Sequence, residues 1–95
     1  YSHMDEPDLA ETAYRMALNA NPENERALVN LGLIHHKRGE FAEAIPLYEK
    51  AINVNTDSIY AYANLARIYA RLQDDEQAEY YVEQYLNHGG KAEDL

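Results

Sequence analysis

Residues 25–58 read ERALVNLGLIHHKRGEFAEAIPLYEKAINVNTDS, and residues 59–92 read IYAYANLARIYARLQDDEQAEYYVEQYLNHGGKA. Laid over one another at a shift of 34 positions, the stretches agree at Ala27 and Ala61, Asn30 and Asn64, Leu31 and Leu65, Ile34 and Ile68, and Ala44 and Ala78. Gly32 falls on Ala66. The same shift carried backwards sets Tyr48 on Tyr14, Ala51 on Ala17, Asn53 on Asn19 and Asn55 on Asn21. A period of this length marks a supersecondary unit that cannot bury its apolar face alone and stacks on its neighbours.

Breakers cut the chain into five segments of helical length, near 8–20, 25–38, 41–54, 59–72 and 75–87. Pro7 suits a first helical turn, and Asn21-Pro22 ends the first segment. Asn24 caps the second, which Gly39 stops. Asp57 or Ser58 caps the fourth, Asp74 with Gln77 resembles a capping box for the fifth, and Gly89-Gly90 closes it. Leu28, Leu31, Ile34 and His35 form a helical stripe, copied by Tyr62, Leu65, Ile68, Tyr69 and Leu72. Small residues (Gly32, Ala66, Ala10, Ala44, Ala78) stand where helices cross closely. Leu31, Ile34, Ala44, Tyr48, Leu65, Ile68 and Ala78 are the expected deep core. Pro46, inside the third segment, predicts a slight bend. No stretch alternates with period two, so the fold class is all-α.

The 95 residues suffice for one small domain, and 46% hydrophobic content is that of a globular chain. No apolar run approaches the ~18 residues of a membrane span, and no basic leader precedes an apolar core. The default expectation is therefore a cytoplasmic chain with no membrane partner. Residues 1–4, with Ser2-His3-Met4, read as a cloning remnant before a native start near Asp5. There is no cysteine, hence no disulfide, thiolate zinc site or cysteine nucleophile. A net charge of −9 disfavours nucleic acid as a partner.

The pattern Leu28-x-x-Leu31-Gly32, Gly39-Glu40-Phe41-x-x-Ala44, Tyr48-x-x-Ala51 resembles the tetratricopeptide repeat. Residues 25–58 make one complete copy. Residues 59–92 make a divergent second, with Ala66 for the glycine, Gln73 for the turn glycine and Tyr85 for the late alanine. Residues 5–24 resemble the second helix of a preceding repeat, and 93–95 form a tail. The resemblance implies an α-solenoid of antiparallel helix hairpins in a right-handed superhelix, one domain of about two and a half repeats. It also implies that first helices line a concave groove that holds peptides.

Five of the eight basic residues (Arg26, Lys37, Arg38, Arg67 and Arg71) fall in the two first-helix segments, against Glu25 alone. Away from the apolar stripe these segments collect Arg26, Val29, Asn30, Leu33, His36 and Lys37, then Tyr60, Ala63, Asn64, Arg67 and Arg71. On the resemblance, this face is the peptide-binding groove. Asn30 and Asn64 stand in slots where the family places asparagines that bind a peptide backbone, for which an amide offers both donor and acceptor. Val29 and Ala63 stand where a carboxylate clamp wants lysine. Arg26, Arg67 and Arg71 suit a carboxylate-bearing ligand.

Other constellations fail. His35 lies on the apolar stripe as a packed histidine, His36 points elsewhere, and neither has a metal-binding neighbour four residues away. No base stands near Ser2 or Ser58, and four glycines are too scattered for a phosphate loop. No catalytic residue, metal or cofactor is expected. Two functions stay open: a non-catalytic scaffold binding a peptide, and a structural or self-associating module of a larger protein or enzyme. For the second, both ends are expected to expose apolar surface at Leu9, Ala13, Tyr81 and Tyr85, through which copies pair.

Overall fold

The computed structural model describes residues 6–94, with side chains from residue 9 onward; the cloning-remnant reading of residues 1–4 lies outside the described residues. The elements are α1 (Glu6–Ala20), α2 (Glu25–Lys37), α3 (Phe41–Val54), α4 (Ile59–Arg71), α5 (Asp75–Asn87) and a 3₁₀ turn, Ala92–Asp94. Among the described residues there is no strand. Each helix packs on its successor, and α2 also meets α4, in a body of 42 × 26 × 22 Å. The architecture is a solenoid of antiparallel hairpins, α2–α3 and α4–α5, with α1 laid against α2.

The turns repeat with the sequence. Asn21 and Asn55 each accept, at the side-chain oxygen, the backbone N–H two residues on (3.1 and 3.0 Å). This is the local bond that favours asparagine in turns. At the hairpin corners Gly39, Gln73 and Gly89 take φ of +77°, +60° and +102°. The following N–H groups of Glu40, Asp74 and Gly90 reach back to the carbonyls of His35, Tyr69 and Tyr85 at 2.8–2.9 Å. That is one Schellman closure used three times. Asn24 caps α2 through Ala27 N–H (3.1 Å), and Asp74 caps α5 through Gln77 N–H (3.3 Å).

Ser58 departs from expectation. It occupies the N-cap of α4 but makes no cap bond; its hydroxyl donates to Glu25 Oε2 at 2.6 Å, tying the starts of α4 and α2 together. Helix α3 runs unbroken through Pro46. The proline stands one turn from the helix start, where a single bond to the Ala42 carbonyl is lost.

The core is Leu28, Ala44, Tyr48, Ala51, Ala61, Leu65 and Ile68, all at 0–1% exposure, with Leu31 beside them. Helix α4 is the most enclosed, because α2, α3 and α5 all touch it. Two expected core positions are corrected: Ile34 and Ala78 are half-buried. Ala78 borders a hollow lined by α5 residues alone, where no further helix covers it. Tyr85 is corrected the other way and is buried at 4%; Tyr81 is half-buried, while Leu9 and Ala13 are exposed as expected. The Tyr85 hydroxyl donates to the Lys91 carbonyl (3.1 Å) and accepts Lys91 N–H (3.2 Å). Its ring fills the space beside Gly90, where a β-carbon would collide with it.

Candidate functional site

Helices α2 and α4 carry Arg26, Lys37, Arg67 and Arg71 against Glu25, a local excess of positive charge in an acidic chain. Two adjoining hollows open along them. One, about 220 Å³, is lined by Glu25, Arg26, Val29, Asn30 and Tyr60. The other, about 340 Å³, is lined by Ile59, Tyr60, Ala63, Arg67, Tyr85 and Asp94. Tyr60, 70% exposed, borders both and joins them into one furrow.

The structure thus brings Arg26, Val29, Asn30, Tyr60 and Arg67 together. Leu33 and His36 are half-buried, Lys37 and Arg71 are exposed, and these four line neither hollow. His36 packs edge-on against Phe41 (5.7 Å) and Tyr48 (6.2 Å). Burial, with the charges of Arg67 and Arg71, holds its pKa below the usual histidine value. The arginine field therefore reaches across from α4 to α2.

The two asparagines are not equivalent. Asn30 is half-buried on the furrow wall, whereas Asn64 is buried at 7%, with Oδ1 accepting from Arg67 Nη1 at 3.0 Å. The difference lies three residues on. There α2 has Leu33, which cannot donate, and α4 has Arg67, which can. Arg67 Nη2 also donates to the Asp94 carbonyl at 3.2 Å.

Sequence reasoning missed Glu25, Ile59, Tyr85 and Asp94 as wall residues. One signal was available for the last: Glu93 is 34 positions after Ile59, which is 34 after Glu25. The turn Ala92–Asp94 thus occupies the slot of a further first helix.

Arg38 belongs to a different cluster. It pairs with Glu11 of α1 (2.8 Å), which also holds Arg15 (3.0 Å). Beneath them the buried His35 shares its Nδ1 with Glu40 (2.7 Å) and its Nε2 with Arg15 (3.2 Å). Arg15 can only donate, so Nε2 accepts and Nδ1 carries the hydrogen that Glu40 receives. His35 is a packed histidine, as its place on the stripe implied, and it fastens α1 to the α2–α3 corner.

A family model described as tetratricopeptide repeat matches residues 23–88. The human Protein O-mannosyl-transferase TMTC1 is 37% identical over 70 residues, 70% of this chain and 8% of that protein. Tetratricopeptide repeat protein 8 of Caenorhabditis elegans is 27% identical over 95 residues, covering all of this chain and 19% of that protein. Among solved structures, that of MamA superposes with a TM-score of 0.84 at 30% identity, over 88% of this chain and 49% of that one. The chain therefore spans less than a fifth of these curated relatives and about half of MamA. The transferase in the first name belongs to that whole protein, of which only the repeat stretch is matched.

Proposed function

Because the chain belongs to the tetratricopeptide repeat family, whose repeats generally mediate protein–protein interaction as non-catalytic scaffolds, we propose that its furrow binds a carboxylate-bearing peptide segment. The observation that carries this reading is the charge contrast. The furrow on α2 and α4 presents Arg26 and Arg67, with Arg71 and Lys37 beside it, in a chain of net charge −9. An acidic ligand is repelled elsewhere and drawn here. Asn30 is placed for the peptide backbone, Val29, Leu33 and Tyr60 for apolar side chains, and Arg67 and Arg71 for carboxylates; His36 stays neutral between them. Asn64 serves indirectly, orienting Arg67. The chain itself performs no catalysis in this reading.

Exposed ion pairs contribute about 0.2–1 kcal/mol each, so affinity is expected in the micromolar range or weaker, falling as salt rises. The test is calorimetric titration with acidic and basic peptides of matched hydrophobicity, against the wild type and an Arg67→Glu/Arg71→Glu variant. Preference for the acidic peptide, lost in the variant, supports the reading. Equal binding of both peptides, or an unaffected variant, refutes it.

Self-association is a second reading, favoured by apolar side chains exposed on the end helices: Leu9 (56%) and Met16 (65%) on α1, and Leu86 (43%) on α5. Concentration-dependent dimers in sedimentation support it; a monomer up to millimolar concentration removes it.

A further inference from the structure

Opposite the basic furrow lies a cleft of a different kind. Tyr62 sits about 200° round α4 from Tyr60, and with Glu49, Ile52 and Asn53 of α3 and Tyr80 and Tyr81 of α5 it encloses about 320 Å³. The walls are fixed. The Tyr62 hydroxyl donates to the Thr56 carbonyl (2.8 Å), and its ring stacks on His88 at 5.0 Å. Tyr81 stacks on Tyr69, 5.7 Å away and 5° from parallel. Tyr80 meets Tyr81 edge to face at 5.0 Å and remains 54% exposed, so the cleft opens to solvent along an aromatic lip.

Glu49 is the charged side chain on this cleft's lining. It is exposed and, among the described residues, forms no ion pair. On α5, Asp75, Glu79 and Glu83 line a separate hollow with Ala78, Val82 and Leu86. Burial and then Glu49 push the Tyr81 hydroxyl up to about 12, and burial, then Tyr80 and Asp57, raise that of Tyr62, so both rings stay neutral through the physiological range.

We infer that this cleft is a binding site for a cationic side chain of a partner protein, a guanidinium or alkylated ammonium group. Aromatic faces attract such ions within about 6 Å of their centroids, and Glu49 supplies the counter-charge at the same mouth. A cation with an apolar stem satisfies both parts of the lining: the stem meets Ile52 and the rings, the head meets Glu49 and Asn53. Because the walls are held by their own stacking and hydrogen bonds, little ordering accompanies binding. The site is independent of the basic furrow and selects the opposite charge.

The test follows the tyrosine ring resonances of the 95-residue chain by NMR during titration with three probes: N-acetyl-arginine amide, N-acetyl-trimethyllysine amide and the uncharged N-acetyl-norleucine amide. The expected result is saturable shifts of Tyr62, Tyr80 and Tyr81 with the two cations and not with norleucine amide. Glu49→Gln and Tyr80→Ala each change exposed side chains, and each should weaken cation binding about two- to fivefold. Equal response to the neutral probe, shifts centred on other tyrosines, no shift up to the probe's solubility limit, or wild-type affinity in both variants overturns the inference.

Discussion

The ring of Tyr48 presses on Gly32, so that a β-carbon at residue 32 would stand 2.9 Å from Cε1 of that ring. Tyr48 is fully buried and has nowhere to retreat. In the next repeat the pair becomes Ala66 and Val82, a larger residue on one helix against a smaller one on the other. Gly32→Ala should therefore destabilise the chain by about 1–3 kcal/mol, the usual cost of overpacking. Combined with Tyr48→Val it should cost less than the sum of the two single changes. Urea unfolding of all four members of this cycle measures that coupling.

Two residues of one stripe should respond differently to truncation. Leu31 is 2% exposed, whereas Ile34 is half-buried. Leu31→Ala is expected to cost about 2–4 kcal/mol, and Ile34→Ala about half of that, since the cavity left by the latter opens to water. Thermal and denaturant melts compare them directly.

What the sequence made legible follows from which forces are local. Helix bounds came within two residues of expectation because they rest on caps and turns: Asn24, Gly39, Asp74 and Gly89 act within their own turn. The core shared by the two repeats was legible for the same reason, since Ala44, Tyr48, Leu65 and Ile68 belong to a 34-residue pattern that implies its own neighbour. Positions at the ends were misjudged because the pattern assumes neighbours on both sides. Ala78 lacks one, while Tyr85 found a substitute in residues 90 and 91. In the furrow, period alone made Asn30 and Asn64 equal, and one side chain, Arg67, makes them different.

Gln73 holds φ of +60° in the corner where its counterpart is Gly39. A side chain in this left-handed region costs about 1–2 kcal/mol, which glycine avoids. Part of that gain is offset by the greater freedom of glycine in the unfolded chain. Gln73→Gly should raise stability by about 0.5–1 kcal/mol without altering peptide affinity. A melting temperature at or below wild type would show that the corner is relaxed around glutamine.

Stability should form a plateau with two edges. Burial raises the Tyr48 and Tyr81 hydroxyls, the latter to about 12 from 10.0. The folded chain thus keeps protons that the unfolded chain releases, and stability is full below pH 10 and falls as pH rises toward 12. His36 is lowered from 6.5 by burial and by Arg67 and Arg71. Below pH 6.5 the unfolded chain takes up that proton first, so stability declines on acidification. Glu11, lowered from 4.5 by its bonds to Arg38 and Arg15, adds a further loss as pH falls below that value. Unfolding free energies across pH should show both edges. His36→Phe should remove the upper part of the acid edge and leave the Glu11 part in place.

The last turn of the chain sits across the furrow, and removing it should separate its two effects. Asp94 lines the second hollow and accepts Arg67 Nη2 at its backbone carbonyl, while Lys91 exchanges two hydrogen bonds with the Tyr85 hydroxyl. A chain ending at Gly90 loses the bonds at Tyr85, which should lower stability by about 1–3 kcal/mol. The same truncation frees Arg67 and strips Glu93 and Asp94, together with Lys91, from the edge of the furrow, so an acidic peptide should bind several-fold tighter. Glu93→Gln/Asp94→Asn keeps the backbone carbonyl on Arg67 and removes only the two charges. If long-range repulsion is what weakens binding, this variant, which keeps Lys91, should tighten binding at least as much as the truncation at low salt and lose the gain at high salt. If the carbonyl competes directly for the guanidinium, only the truncation should tighten binding, at every ionic strength. Calorimetry of the three chains at two salt concentrations distinguishes these outcomes, and unchanged affinity in both variants would place the peptide away from Arg67 altogether.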